Sequence, residues 1–245
     1  MVHELNALGQ PVGPAVPGWR PPARPPRTPM HGRLCRLEPL DVRVHGADLH
    51  AANRVDTEGR NWTYLPYGPF ETLDQYLEWA TPAAARDDPQ FWVVVDAGTG
   101  KATGVASYLR IDPEAGSIEV GHINYSPLLQ RQPAATEAMY LMMRRAFELG
   151  YRRYEWKCDA LNAASRAAAQ RLGLSYEGIF RQARLTKGRN RDTAWFAAID
   201  TEWSALNEAF RQWLDPSNFG DQGRQRRSLR DLTGPILVSR DPCRD

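Results

Sequence analysis

Apolar residues along this chain change spacing several times, and each change marks an element. FWVVV is an unbroken apolar run, as expected of a strand covered on both faces. After the turn DAGTGK, ATGVASYLRI reads as its return strand. After DPEAG, SIEVGHINY reads as a third, so the three form an antiparallel meander. The spacing then lengthens. Ala135, Ala138, Met139, Met142, Ala146 and Leu149 recur at three- and four-residue intervals, which predicts a helix from Ala134 to Leu149 with Gly150 ending it. RYEWKC predicts another strand, and Asn162 opens a second helix, AASRAAAQRL, that stops at Gly173.

Upstream, GRLCRLEPL reads as a first strand and VHGADLHAAN as a helix. TLDQYLEWA reads as a further helix with Thr72 as its N-cap. Between these two helices lies NWTYLPYGPF, a loop dense in aromatics and prolines. Downstream, SYEGIFRQARL and DTAWFAAID flank KGRN as a long hairpin, and EWSALNEAFRQWL is an amphipathic helix. The predicted order is β-α-α-β-β-β-α-β-α-β-β-α. Residues 1–30 carry PVGPAVPGWRPPARPPRTP and predict an extended proline-rich arm; 31–214 form the domain; 215–245 read as a polar tail, in part poorly ordered.

Composition narrows the class. A chain of 245 residues with 42% hydrophobic and 24% charged residues is an ordinary globular protein. A net charge of +2 argues for neither nucleic acid nor a membrane surface. No run of apolar residues is long enough to span a bilayer, and the first residues lack the basic start and apolar run of a secretory signal. Cys35, Cys158 and Cys243 are few, distant and without CxxC spacing, so reduced thiols in a cytoplasmic protein are expected, with no metal site.

The chemistry concentrates where SIEVGHINY gives way to the Ala134 helix, through SPLLQRQPAATEA. A strand that ends where a helix begins leaves free backbone N–H groups at the positive end of the helix dipole, an anion site suited to a diphosphate. Arg131 adds a full charge there, and Gln130 and Gln132 add donors. On the preceding strand, Glu119 and His122 are candidate proton acceptors. Alternation puts Glu119, Gly121, Ile123 and Tyr125 on one face and Ile118, Val120 and His122 on the other, so both reach one site only if a bulge intervenes, which Gly121 would permit.

These residues resemble motif A of the GNAT (Gcn5-related N-acetyltransferase) superfamily. Gln130 takes the first motif position, Pro133 stands where glycine is usual, Ala135 takes the last, and Thr136, Glu137 and Ala138 match the continuation. DALNAASRAAAQRLGLSYEG is similar to the family's Asn-x-x-Ser block, with Asn162 and Ser165 in the Asn and Ser positions. The nearest subgroup is the RimJ/RimL-like one, and the resemblance covers roughly residues 33–203.

The resemblance implies an α/β (α+β) GNAT fold: a mixed central sheet with a splayed pair of parallel strands and helices on both faces. It implies an enzyme that moves an acetyl group from acetyl-CoA, without a metal, to a primary amine of a small molecule or a protein N-terminus. Ala134, Ala135 and Thr136 would join Gln130, Arg131 and Gln132 around the diphosphate. Ile123 and Tyr125 would pair with the pantetheine arm, and Asn162 would bond it as well as capping its helix. Glu119, ranked ahead of His122, would be the base, and Ser165 would give a proton to the leaving thiolate. Proline lacks an N–H, so Pro133 removes one backbone donor and leaves open an aminoacyl-tRNA donor. A non-catalytic cofactor-binding or interaction module that docks a partner through the arm or tail is a further reading.

Trp62, Tyr64 and Tyr67 on the aromatic loop are the expected acceptor wall. Arg181, Arg184, Lys187, Arg189 and Arg191 crowd the last hairpin. They read first as a solvated basic turn, and more sharply as an attraction for an acidic acceptor or RNA. The proline arm and the final helix are candidate surfaces for a homodimer.

Overall fold

The computed structural model describes residues 4–220 and 223–242. In chain order the elements are β1 (Glu4–Leu5), β2 (Pro11–Val12), β3 (Met30–His31), β4 (Cys35–Pro39), α1 (Val42–Asn53), α2 (Leu73–Ala84), β5 (Gln90–Asp96), β6 (Ala102–Asp112), β7 (Ser117–Tyr125), α3 (Pro133–Glu148), β8 (Arg153–Asp159), α4 (Ala163–Arg171), β9 (Ser175–Thr186), β10 (Arg189–Ile199), α5 (Asp200–Leu214) and α6 (Leu229–Thr233). From β4 to α5 this is the order that the hydrophobic pattern predicts.

One eight-stranded sheet runs β3-β4-β5-β6-β7-β8-β10-β9, antiparallel except where β7 pairs with β8. β5 shows why its apolar run is unbroken. Phe91, Val93 and Val95 pack in a cluster with Leu49 and Tyr76 of α1 and α2, while Trp92 and Val94 pack in another with Ala138 and Met142 of α3. Each such fully buried side chain stabilises the fold by roughly 1.5–3 kcal/mol. The Thr72 cap is as expected: its side chain accepts from the Gln75 amide and the Gln75 side chain answers, a full capping box.

β7 and β8 pair only over Ser117–Val120 and Arg153–Trp156, and then diverge. Beyond that point β7 still pairs with β6, up to Tyr125 opposite Gly104, and β8 still pairs with β10, up to Asp159 opposite Thr193. The edges of β7 and β8 that face one another are therefore left without a strand partner. The cause is a bulge in β7 between Gly121 and Asn124. The bulge adjoins Gly121, as expected, and its left-handed residue is His122, at φ 50°. Gly121 has a further role: a Cβ on it would sit 2.9 Å from Leu109 Cδ2.

The tail differs from its expectation. Its described residues dock on the domain. Asp241 is buried and accepts from Arg166 Nε of α4 at 2.7 Å; Thr233 Oγ1 donates to the Arg171 carbonyl at 3.0 Å; the Val238 amide donates to Ser175 Oγ at 3.0 Å. The polar composition hid this because the docking groups are themselves polar. The arm is extended apart from the short β1–β2 hairpin, and it is tied down: Arg145 donates to the Pro29 carbonyl at 3.1 Å and Gln90 to the Pro25 carbonyl at 3.0 Å. Cys35 and Cys158 are buried free thiols, and Cys243 lies outside the described residues. Among the described residues no helix is long and apolar enough to cross a membrane, and no cluster of side chains could hold a metal ion.

Candidate active site

The splay opens into a cavity of about 1800 Å³ that runs from the start of α3, between β7 and β8, to the β9–β10 hairpin. Glu119, His122, Arg131, Ser165, Arg184 and Tyr64 all line it.

The N-terminus of α3 forms one end. Pro133 sits in the first turn, where its fixed φ suits a helix and a missing N–H is least costly. No side chain caps this helix, whereas Asp41, Thr72 and Asn162 cap α1, α2 and α4. The Gln132 carbonyl takes the Ala135 amide at 3.1 Å, while the amides of Arg131 and Ala134 meet no protein acceptor among the described residues. Arg131 is held at φ 61°, a left-handed turn that leads the chain into the helix. These are the loose donors that an anion site needs.

One expected donor, Gln130, is already engaged. The Gln130 amide group bonds the Tyr125 carbonyl at 2.8 Å and also Asn61, and Asn61 Nδ2 bonds the same carbonyl at 2.6 Å. Gln130 therefore shapes the turn rather than facing a ligand with its amide, and the Tyr125 carbonyl is filled. Asn162 Oδ1 accepts the Ser165 amide at 3.1 Å, the N-cap that the sequence predicts. Thr136 is buried and its Oγ1 accepts from Arg171 at 3.0 Å. Arg171 in turn lies over the Trp213 ring, 5.2 Å from its centroid. Arg171 was not apparent from sequence, since the contact joins positions 35 apart.

In the middle of the cavity stand Glu119 and Ser165. Glu119 is 3% exposed, with Oε2 2.9 Å from Lys157 Nζ and 2.5 Å from an Arg110 nitrogen. Burial pushes its carboxyl upward from the ordinary range, against the pull of Arg110 and Lys157. Lys157 is further fixed by Glu155 at 2.6 Å and by the Trp195 ring, 3.8 Å from its centroid. Ser165 Oγ accepts from the indole N–H of Trp156 at 3.0 Å, so its rotamer is set from β8. Trp156, read from sequence as core, is buried in the core cluster and also lines the cavity. Cys158 lines it as well, its thiol pushed up to about 11 chiefly by burial.

The bulge brings His122 to the same cavity as Glu119, the condition that simple alternation denied. His122 Nδ1 lies 3.1 Å from the Tyr67 hydroxyl. Burial first, and then the charges of Arg110, Arg191 and Arg184, push its imidazole down to about 4, so it is neutral at physiological pH. Of the three loop aromatics, only Tyr64 lines the cavity; its hydroxyl donates to the Leu161 carbonyl at 3.2 Å. Tyr67 acts on the site through His122. Trp62 is 3% exposed and packs edge-on against Phe70 in the core, because a ring that size gains more from burial than from a loop surface. Ile123 and Ala135 line the cavity; the Ala134 side chain is buried in the core cluster instead.

Comparison with known proteins gives a consistent picture. A family profile described as an acetyltransferase (GNAT) domain matches residues 36–175. A GCN5-related N-acetyltransferase from Brucella melitensis is 45% identical, with a TM-score of 0.87, over 89% of this chain and all 100% of that one. A second structure, from Chromobacterium violaceum ATCC 12472 and assigned to the GNAT family, is 43% identical with a TM-score of 0.75, over 80% of this chain and 98% of that one. The RimL ribosomal L7/L12 acetyltransferase, at 21% identity and a TM-score of 0.58 over 69% of this chain and 91% of that one, shares the fold alone. No curated protein sequence matches the chain.

Proposed function

The chain belongs to the GNAT acetyltransferase family, and from that premise we propose that its cavity binds acetyl-CoA along the β7–β8 splay and passes the acetyl group to a primary amine of a small molecule or a protein N-terminus. One observation carries this reading: an uncapped helix start, with the Arg131 and Ala134 amides unmet, opens into the same cavity as a buried carboxylate and a positioned hydroxyl. The site fits the donor by its chemistry. Loose amides and Arg131 suit a diphosphate, and the unpaired edges of β7 and β8 suit an amide-bearing arm laid between them. Gln132, Ala135 and Thr136 frame the diphosphate end; Ile123 borders the arm.

Acetyl-CoA supplies the acetyl thioester. Glu119 takes a proton from the incoming ammonium at Oε1, since Oε2 faces Lys157 and Arg110. Its raised pKa brings it nearer to operating pH, where a base is most effective. Neutral His122 accepts a hydrogen bond from the amine. As the C–N bond forms and the C–S bond breaks, Ser165 Oγ gives its proton to the departing sulfur and regains one from the second proton that the attacking nitrogen sheds, so that one proton in all leaves on Glu119. Buried thiols at Cys35 and Cys158 accord with a cytoplasmic setting. The direct test is thiol release from acetyl-CoA across a panel of amines. Release that depends on the amine is expected; tight donor binding with no release from any amine would overturn the assignment.

A further inference from the structure

At the hairpin end of the cavity, two arginines meet no hydrogen-bond or ion-pair partner among the described residues. Arg184 of β9 and Arg191 of β10 stand directly opposite each other in the hairpin register, and both line the acceptor end of the cavity. Directly opposed like charges on neighbouring strands destabilise a sheet. Here the Asp159 carboxylate offsets Arg191 only at longer range, since neither arginine side chain forms an ion pair or hydrogen bond among the described residues. Arg191 Nε is also buried without any acceptor. A buried, unmet guanidinium donor is costly, and it persists where something outside the chain completes it.

The acidic groups that line the cavity, Glu119 and Asp159, are already engaged within the chain. Glu119 is held by Arg110 and Lys157, and Asp159 accepts the Leu161 amide at 2.9 Å. The two arginines act on the acceptor side, because the field at His122 includes both, together with Arg110. The hairpin tip is fixed over the site, with Lys187 Nζ donating to the Trp62 carbonyl at 2.7 Å. The guanidinium pair is therefore held by the sheet register and by this tether.

We propose that Arg191 and Arg184 form an oxyanion clamp for the acceptor, so that the enzyme selects amines that also carry a carboxylate or a phosphate. The claim rests on the acetyltransfer reading and adds the acceptor class to it. Guanidinium forks match the planar pairs of oxygens in a carboxylate and those of a phosphate. Bound there, the anion fills the Arg191 donor, offsets the opposed charges and leaves the amine end free to reach Glu119 and His122.

The test uses the full chain, acetyl-CoA and matched acceptors: β-alanine against β-alaninamide, phosphoethanolamine against ethanolamine, and a dipeptide against its C-terminal amide. Thiol release gives kcat/KM for each. At least one anionic member should exceed its neutral partner by about 30-fold or more, the scale of an unpaired buried charge contact. The pair in which it does so separates carboxylate from phosphate. In R191Q that preference should shrink by about 10-fold or more, chiefly through KM, and R191K should restore part of it. Acetyl-CoA affinity, measured by calorimetry, checks that each variant is folded; should R191Q fail that check, R184Q on the exposed strand gives the second reading. Neutral acceptors turned over as well as their anionic partners, or a preference unchanged in R191Q and R184Q, would overturn the clamp and leave acetyltransfer standing. Acetyl-CoA binding with no turnover of any acceptor would overturn both.

Discussion

At the α3 end of the cavity the polar groups are main chain: loose amides at Arg131 and Ala134, an uncapped helix and the bare edges of two strands. From the middle of the cavity to its hairpin end they are side chains: Glu119 between Arg110 and Lys157, His122 against Tyr67, and Arg184 opposite Arg191. A backbone site offers the same donors whatever side chains surround it, so it suits a ligand that never changes. A side-chain site can be rebuilt residue by residue, so it suits the partner that differs from one enzyme to the next. The contrast predicts that the donor end fails mainly when an amide or the strand geometry is lost, and the acceptor end when a single charge is lost.

The most damaging break should be at Lys157. It is buried beside Glu119 and Glu155, so Lys157→Met leaves Glu119 to Arg110 alone and Glu155 to Arg153 alone and should cost about 3 kcal/mol, read from chemical denaturation. A loss under about 1 kcal/mol would show that water already reaches that network. Ser165→Ala removes the proposed proton donor and should lower kcat by about 100-fold while acetyl-CoA still binds. Unchanged kcat would assign the hydroxyl to its Trp156 bond alone. At the other end, Ala134→Pro deletes one loose amide in the first turn, where a proline is tolerated, and should weaken acetyl-CoA affinity by about 10-fold or more.

The pH dependence comes from the acceptor end. His122 has its imidazole pushed down to about 4 in the fold, below an unfolded value near 6.5. The unfolded chain then binds the extra proton between those values. His122 thus contributes stability that is full above about pH 6.5 and is lost as pH falls toward 4, by up to about 1.4 kcal/mol per unit. His122→Asn should flatten that slope in denaturation profiles taken from pH 7 to 4. The smallest effect separates filled from empty helix caps. Thr72→Ala should cost about 1 kcal/mol, and Gln132→Ala, at the uncapped start of α3, less than about 0.5 kcal/mol in the same assay.

The same division governs how much could be read from the sequence. The strand–loop–helix junction, the Thr72 and Asn162 caps and the order from β4 to α5 are local, and spacing alone exposes them. The bulge was legible only as a condition, that Glu119 and His122 share a site if one exists; its left-handed residue at His122 depends on how β6 and β7 settle together. Tyr67 on His122, Trp156 on Ser165 and Arg171 on Thr136 join residues far apart in the chain, and no periodicity reports such pairs. Arg184 and Arg191 were visible as part of a basic cluster. Their direct opposition depends on the hairpin register, with a shift between Arg191 and Thr193 that the residues do not announce. The tail hid its docking for a chemical reason, since Arg166 and Asp241 look like surface charges until they meet.

The central claim is that amides at the start of α3 grip the donor. Amide hydrogen exchange, resolved at Arg131 and Ala134 with and without saturating acetyl-CoA, tests it directly. The account predicts that both amides, now without a protein acceptor, exchange markedly more slowly once the donor is bound. Donor binding that leaves both rates unchanged while protecting another part of the chain would contradict it.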